Sequence, residues 1–124
     1  MDTFPIFVLH KIMMKASFKI IYSDEAKKFL NSLDSNTYKK IIYNIDKAAF
    51  IRDPELFKKL DDEIWEFRTK FNRKQYRLLA FWDKRKNSET LVIATNGFIK
   101  KTKKTPKDEI VKAKQIMRFY FKNT

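Results

Sequence analysis

Hydrophobic and polar positions change period several times along the chain, and each change marks an element. Ser17 to Tyr22 alternates and is rich in β-branched and aromatic residues, which predicts a first strand. Ser23 or Asp24 then caps a helix over Asp24 to Leu33, where Ala26, Phe29, Leu30 and Leu33 form one apolar stripe. After the polar turn Asp34-Ser35-Asn36, a second helix runs from about Thr37 to Ile51, with Ile41, Ile42, Ile45, Ala48 and Ala49 on one face. The short connection makes the two an αα-hairpin. Asp53-Pro54 ends it, because proline lacks a donor and restricts the residue before it.

Phe57 to Leu60 leads into a turn at Asp61-Asp62-Glu63, and the period then falls to two. In Ile64 to Thr69, Trp65 and Phe67 point one way, Glu66 and Arg68 the other. A polar hairpin turn at Phe71 to Lys74 joins this strand to Gln75–Trp82, where Tyr76, Leu78, Ala80 and Trp82 share one face and Arg77, Leu79 and Phe81 the other. A turn from Asp83 to Ser88 precedes a third strand of this group, Thr90 to Phe98. Pro106, with Asp108 and Glu109 suited to a helix N-terminus, opens a last helix to about Tyr120, striped by Ile110, Ala113, Ile116, Met117 and Tyr120. The order is a strand, a helical hairpin, a three-stranded antiparallel meander that completes the sheet, and a C-terminal helix. With the helices segregated to one side, this is an α+β fold whose second sheet face is partly open to solvent.

Composition adds one domain and a polyanionic partner. The 124 residues suffice for a single modest core, and 44% hydrophobic residues argue against disorder. Residues 15–124 form the expected domain, and residues 1–14 read as an N-terminal extension or a mis-set start, with Met13 or Met14 the working one. The net charge is +13, and between Arg68 and Lys107 stand 13 basic residues against only Asp83 and Glu89. Nucleic acid is the commonest partner for such a surface. No run approaches the length of a membrane span. The absence of cysteine excludes disulfides and thiolate chemistry and fits a cytoplasmic setting. With one histidine, His10, near the terminus, metal chemistry built on His and Cys is closed, and no cofactor is expected.

The candidate chemistry lies on the open face. Cross-strand neighbours stand about 5 Å apart and diagonal ones about 7 to 8 Å, so Arg68 and Arg77 are placed to grip one phosphate from two sides. Pairing of Glu66 with one of them is the competing structural role. The stretch after the last strand holds the chain's only glycine, Gly97, and sets Lys100, Lys101, Lys103 and Lys104 within five residues before Pro106. These lysines are either a solvated loop or a backbone-binding cluster. Phe98 is a candidate to stack on a base, or else part of the core. No serine–histidine arrangement, metal-binding carboxylate cluster or Gly-rich phosphate loop accompanies them. Phosphodiester cleavage by the 2′-hydroxyl of RNA itself remains, where protein groups orient the backbone and neutralise developing charge.

The residues Ile64-Trp65-Glu66-Phe67-Arg68, Tyr76-Arg77-Leu78, Asn96-Gly97-Phe98-Ile99-Lys100-Lys101-Thr102-Lys103-Lys104-Thr105-Pro106, then Glu109-Ile110 and Ala113, resemble the RelE/HigB superfamily of bacterial toxins, in its phage-derived branch. The resemblance covers Phe18 to about Tyr120, and the Gly-Phe-x-Lys-Lys-Thr-x-Lys-Thr-Pro portion is its specific part. It implies a RelE-like fold and the toxin of a type II toxin–antitoxin pair, an endoribonuclease that cleaves mRNA on the ribosome and is silenced by a helix-turn-helix antitoxin. It also implies that Arg68 and Arg77 hold the scissile phosphate and that Lys100, Lys101, Lys103 and Lys104 hold RNA backbone. Many members carry histidine where this chain has Asn96, and asparagine cannot carry a proton through a cycle. Three readings follow: slow cleavage, cleavage with Glu66 as base, or binding without cleavage. The last corresponds either to same-fold toxins that poison DNA gyrase or to a non-enzymatic RNA-binding module.

Overall fold

The computed structural model describes residues 5–8, 15–86 and 90–124. The elements in chain order are β1 (Lys19–Tyr22), α1 (Asp24–Asn31), α2 (Ser35–Phe50), β2 (Phe57–Lys59), β3 (Trp65–Phe71), β4 (Lys74–Asp83), β5 (Leu91–Lys100) and α3 (Lys107–Asn123). They build a single five-stranded sheet in the order β1-β5-β4-β3-β2. β1 runs parallel to β5, and the other pairs are antiparallel. The α+β class and the meander stand as expected, with one strand more. β2, three residues long, pairs with β3 at the sheet edge, where the sequence reads only as a lead into a turn.

Each helix of the hairpin starts on a side-chain cap. Ser23 Oγ accepts from Ala26 N at 3.1 Å, and Asp34 Oδ1 from Thr37 N at 2.8 Å, each satisfying an orphan donor of the first turn. Ile41, Ile45, Ala48 and Ala49 of α2, with Ala26 and Leu30 of α1, bury against Phe67, Leu78, Ala80, Val92 and Ala94. The turn of β3 into β4 is two residues, Asn72 and Arg73, with φ of 50° and 64°. Positive φ at both central positions matches the right-handed strand twist and closes the tightest hairpin.

α3 overturns the expectation that the helices lie on one side. Ala113 and Met117 pack on Leu79, Phe81, Leu91 and Ile93, which project from the face opposite the hairpin. The reason is visible along β4: Leu79 and Phe81 alternate with Leu78 and Ala80 but are as apolar, so this strand needs cover on both faces. Burying each such side chain contributes roughly 1.5–3 kcal/mol, which fixes α3 in place. Pro106 occupies the position before the helix rather than its first turn, and Asp108 and Glu109 stand in that turn as expected.

Ahead of the domain, a helical turn at 6–8 seats the buried Phe7 against the rings of Tyr43 and Phe50, at 5.2 and 6.2 Å. His10, Met13 and Met14 lie outside the described residues, as does the end of the expected turn at Asp83 to Ser88. Among the described residues no helix is long and apolar enough to cross a membrane.

Candidate nucleic-acid interface

The register of the sheet assembles one row of charge. Arg68 of β3 pairs across the hairpin with Arg77 of β4, and Lys58 of β2 pairs with Glu66 of β3. β5 joins this row through a bulge. Leu78 pairs with Gly97 but Ala80 with Ala94, so Thr95 and Asn96 together oppose the single Leu79. The extra residue turns Gly97 and Ile99 towards the hairpin and brings Phe98 and Lys100 to the face of Arg77, as the pairs Arg77 with Phe98 and Gln75 with Lys100 show. The Thr95 carbonyl at the bulge accepts from Ser23 Oγ at 2.5 Å, which ties the start of α1 to it.

Arg77 and Glu66 form the closed centre of the row. Arg77 is 1% exposed and Glu66 3%. Arg77 Nε stands 3.1 Å from Glu66 Oε1, Nη2 donates to Gln75 Oε1 at 2.7 Å, and Nη1 donates to the Tyr76 carbonyl at 3.1 Å. The same Glu66 oxygen accepts from Thr105 Oγ1 at 2.9 Å, which anchors the end of the lysine loop to the sheet. Burial pulls the Arg77 guanidinium below its ordinary pKa, Glu66 opposes this, and Arg68 adds to it.

Around that centre the cations are more open. Arg68 is half-buried, with Nη1 3.4 Å from the Pro54 carbonyl and Nε enclosed without a partner. Lys100 is also half-buried, and burial holds its ammonium below the ordinary value, reinforced by the charges of Arg77, Arg68 and Lys58 and opposed by Glu66. Four cations thus share one carboxylate. Lys101, Lys103 and Lys104 continue the row as an exposed loop. A polyanion laid here would meet Arg68 and Lys100 first, then the loop.

The expected site residues therefore separate. Arg68, Lys100 and the loop lysines come together on an accessible surface. Arg77 lies beside them as alternation predicted, yet its guanidinium is enclosed rather than open, held by Glu66, Gln75 and the Tyr76 carbonyl, with Thr105 bonded to the same carboxylate. Asn96 is buried in the seam with α3, where Nδ2 donates to Glu109 Oε2 at 2.8 Å and to the Glu109 carbonyl at 3.1 Å. Phe98 packs, partly buried, against the second core beneath α3. Lys58, Thr105 and Gln75 were not read as site residues. For Lys58 the available signal was the alternation of Phe57-Lys58-Lys59, too short to stand alone as a strand. Among the described residues there is no group of three or more His, Cys, Asp or Glu able to hold a metal ion.

With this geometry in hand, comparison with known families matches residues 28–118 to the family described as Phage derived protein Gp49-like (DUF891). The chain belongs to the Gp49-like family. This is a RelE-like toxin family, so the phage-derived branch indicated by the Gly-Phe-x-Lys-Lys segment is the one found. The match takes in the end of α1, all of α2, the charged row and most of α3 of the Gp49-like chain. No curated protein matches the chain significantly.

Proposed function

We propose that this Gp49-like chain is the toxin of a type II toxin–antitoxin pair, that it cleaves mRNA on the ribosome, and that a helix-turn-helix antitoxin silences it. The observation that carries the reading is the row of four cations, Lys58, Arg68, Arg77 and Lys100, on one carboxylate and continuous with an exposed lysine loop. In the reaction the ribose 2′-hydroxyl attacks its own phosphorus and the bond to the 5′-oxygen of the next nucleotide breaks. The products are a cyclic phosphate and a 5′-hydroxyl end. Arg68 and Lys100 neutralise the charge that grows on the phosphate oxygens, and Lys101, Lys103 and Lys104 hold the flanking backbone. Arg77 acts by fixing Glu66, the one carboxylate in the row and the group assigned to take the proton from O2′. Asn96 positions α3 and carries no proton.

The test is induction in a bacterial host with mapping of mRNA 5′ ends. Arg68→Ala with Lys100→Ala is the companion variant, since it leaves the buried pair intact. Cuts inside translated codons are expected, falling about 100-fold or more in the variant, the scale for losing charge-stabilising donors. Unchanged cutting would remove both residues from the site.

A second reading has one observation in its favour. Asn96 is engaged with Glu109, and Glu66 with Arg77, so among the described residues no carboxylate or histidine stands free in the row. A toxin of this fold that acts by binding DNA gyrase would arrest growth with mRNA intact and block supercoiling in vitro. An unaffected gyrase reaction removes that reading.

A further inference from the structure

A cleft of about 840 Å³ runs along the β2 end of the sheet, and no step of the proposed cleavage uses it. Both tryptophans of the chain, Trp65 and Trp82, line it together with Phe57. Their rings meet at an angle rather than as a filled stack: Trp65 and Trp82 lie 5.6 Å apart at 72°, and Phe57 stands 4.9 Å from Trp65 and 5.8 Å from Trp82. Both indoles are only half-buried. Trp82 Nε1 is enclosed with no acceptor among the described residues.

The rim supplies the sign of the ligand. Arg52, Lys58, Lys59 and Lys84 are exposed around the cleft, and Lys84 Nζ sits 5.0 Å over the Trp82 ring. Three carboxylates also line the cleft: Asp53, which accepts from the Glu55 amide at 2.9 Å, Glu63, which faces Lys114 at 4.0 Å, and the exposed Asp62, so the four cations exceed them by one. The tryptophans lie on the hairpin side of the sheet and the charged row on the other, so the cleft meets the row around the edge strand β2. Lys58 belongs to both, and Pro54, which lines the cleft, receives Arg68 through its carbonyl.

An occupant that fits the half-buried aromatic rings and the cations around them is flat and joined to a phosphate. We propose that the cleft is a base-binding subsite for single-stranded RNA. A nucleotide neighbouring the one held at Arg68 and Lys100 turns its base onto Trp65 and Trp82, and Lys58 takes the phosphate between them. A purely aliphatic ligand would leave the cations of the rim unused. Stacking tolerates any base, so the subsite adds affinity and register rather than sequence choice.

This inference rests on the RNA-directed reading above, and its test separates the two. Because the only tryptophans are in the cleft, intrinsic fluorescence reports on it directly. The protein is titrated with a short single-stranded RNA and with the abasic oligomer of the same length. The RNA is expected to quench the fluorescence and to bind about 5- to 100-fold more tightly than the abasic oligomer, the scale of stacking one base. Trp82→Leu is expected to remove that difference, and Lys58→Ala to weaken both ligands equally. Equal affinities with unchanged fluorescence would overturn the subsite, as would failure of the RNA to bind at low salt. Quenching by a blocked tryptophan or arginine amide, and not by RNA, would give the cleft to a protein partner and overturn it too. A base-dependent difference with no cuts in cellular mRNA would retain the subsite and reject the nuclease.

Discussion

Glu66 decides whether the site exists as a folded object. Arg77 sits with its side chain wholly enclosed, and Glu66 is the carboxylate that meets it there. Removing one partner of a buried ion pair strands the other, which costs about 3–5 kcal/mol, a large share of the stability of a domain this size. Glu66→Gln keeps the shape and an acceptor for Thr105, so it isolates the charge. It is expected to destabilise the protein by that amount in urea unfolding. Arg68→Ala, at a half-buried cation with one long contact to a carbonyl, is expected to cost less than about 1 kcal/mol while lowering RNA affinity. A Glu66→Gln protein within 1 kcal/mol of the parent would show that the guanidinium finds other acceptors. The contrast also explains why an Arg77 substitution is a poor probe of catalysis: loss of activity would follow from loss of structure.

At the scale of elements, β5 carries the most information per residue. Its bulge delivers Lys100 to the row, and Gly97, directly after it, lies against Phe29 of α1. A β-carbon on Gly97 would lie 2.6 Å from Phe29 Cγ, far inside contact distance, and the half-buried Phe29 ring would have to move. Gly97→Ala is therefore expected to lower stability by about 1–3 kcal/mol, and Phe29→Leu to recover part of it in the double variant, read as coupling between the two melting shifts. Independent, additive shifts would mean that the ring relaxes freely. The same strand shows what the sequence could and could not reveal. Periodicity located both hairpin helices, the three meander strands and the stripe of α3, because each has enough residues to repeat a period. It placed Arg68 and Arg77 as neighbours, since alternation and a short turn suffice for that. It could not reveal β2, which has three residues. It did not reveal the bulge, because one inserted residue leaves composition unchanged. It missed the face chosen by α3, because a stripe states that a helix is covered and not by what. The seat of Asn96 follows from that last choice.

For the whole molecule the question is whether a net charge of +13 acts as a diffuse field or as a set of contacts. Diffuse charge raises the encounter rate and is screened over about 10 Å at 0.1 M salt. Discrete contacts release counterions, and for single strands the logarithm of affinity then falls against the logarithm of salt with a slope of about −0.7 per phosphate neutralised. Arg68, Lys100, Lys58 and the loop residues Lys101, Lys103 and Lys104 stand along one surface, and if each takes a phosphate the slope is about −4. Replacing the three loop lysines by alanine lowers the net charge by less than a quarter, yet should reduce the slope by about 2. The same number of substitutions at exposed lysines on the hairpin, Lys27, Lys28 and Lys39, lowers the net charge equally and should leave the slope unchanged. Binding isotherms of a single-stranded RNA across salt concentrations therefore separate the two. Equal losses in both triple variants would make the basic surface a field without a docking track. A loss confined to the loop would make Lys101 to Lys104 the track that leads RNA to Arg68.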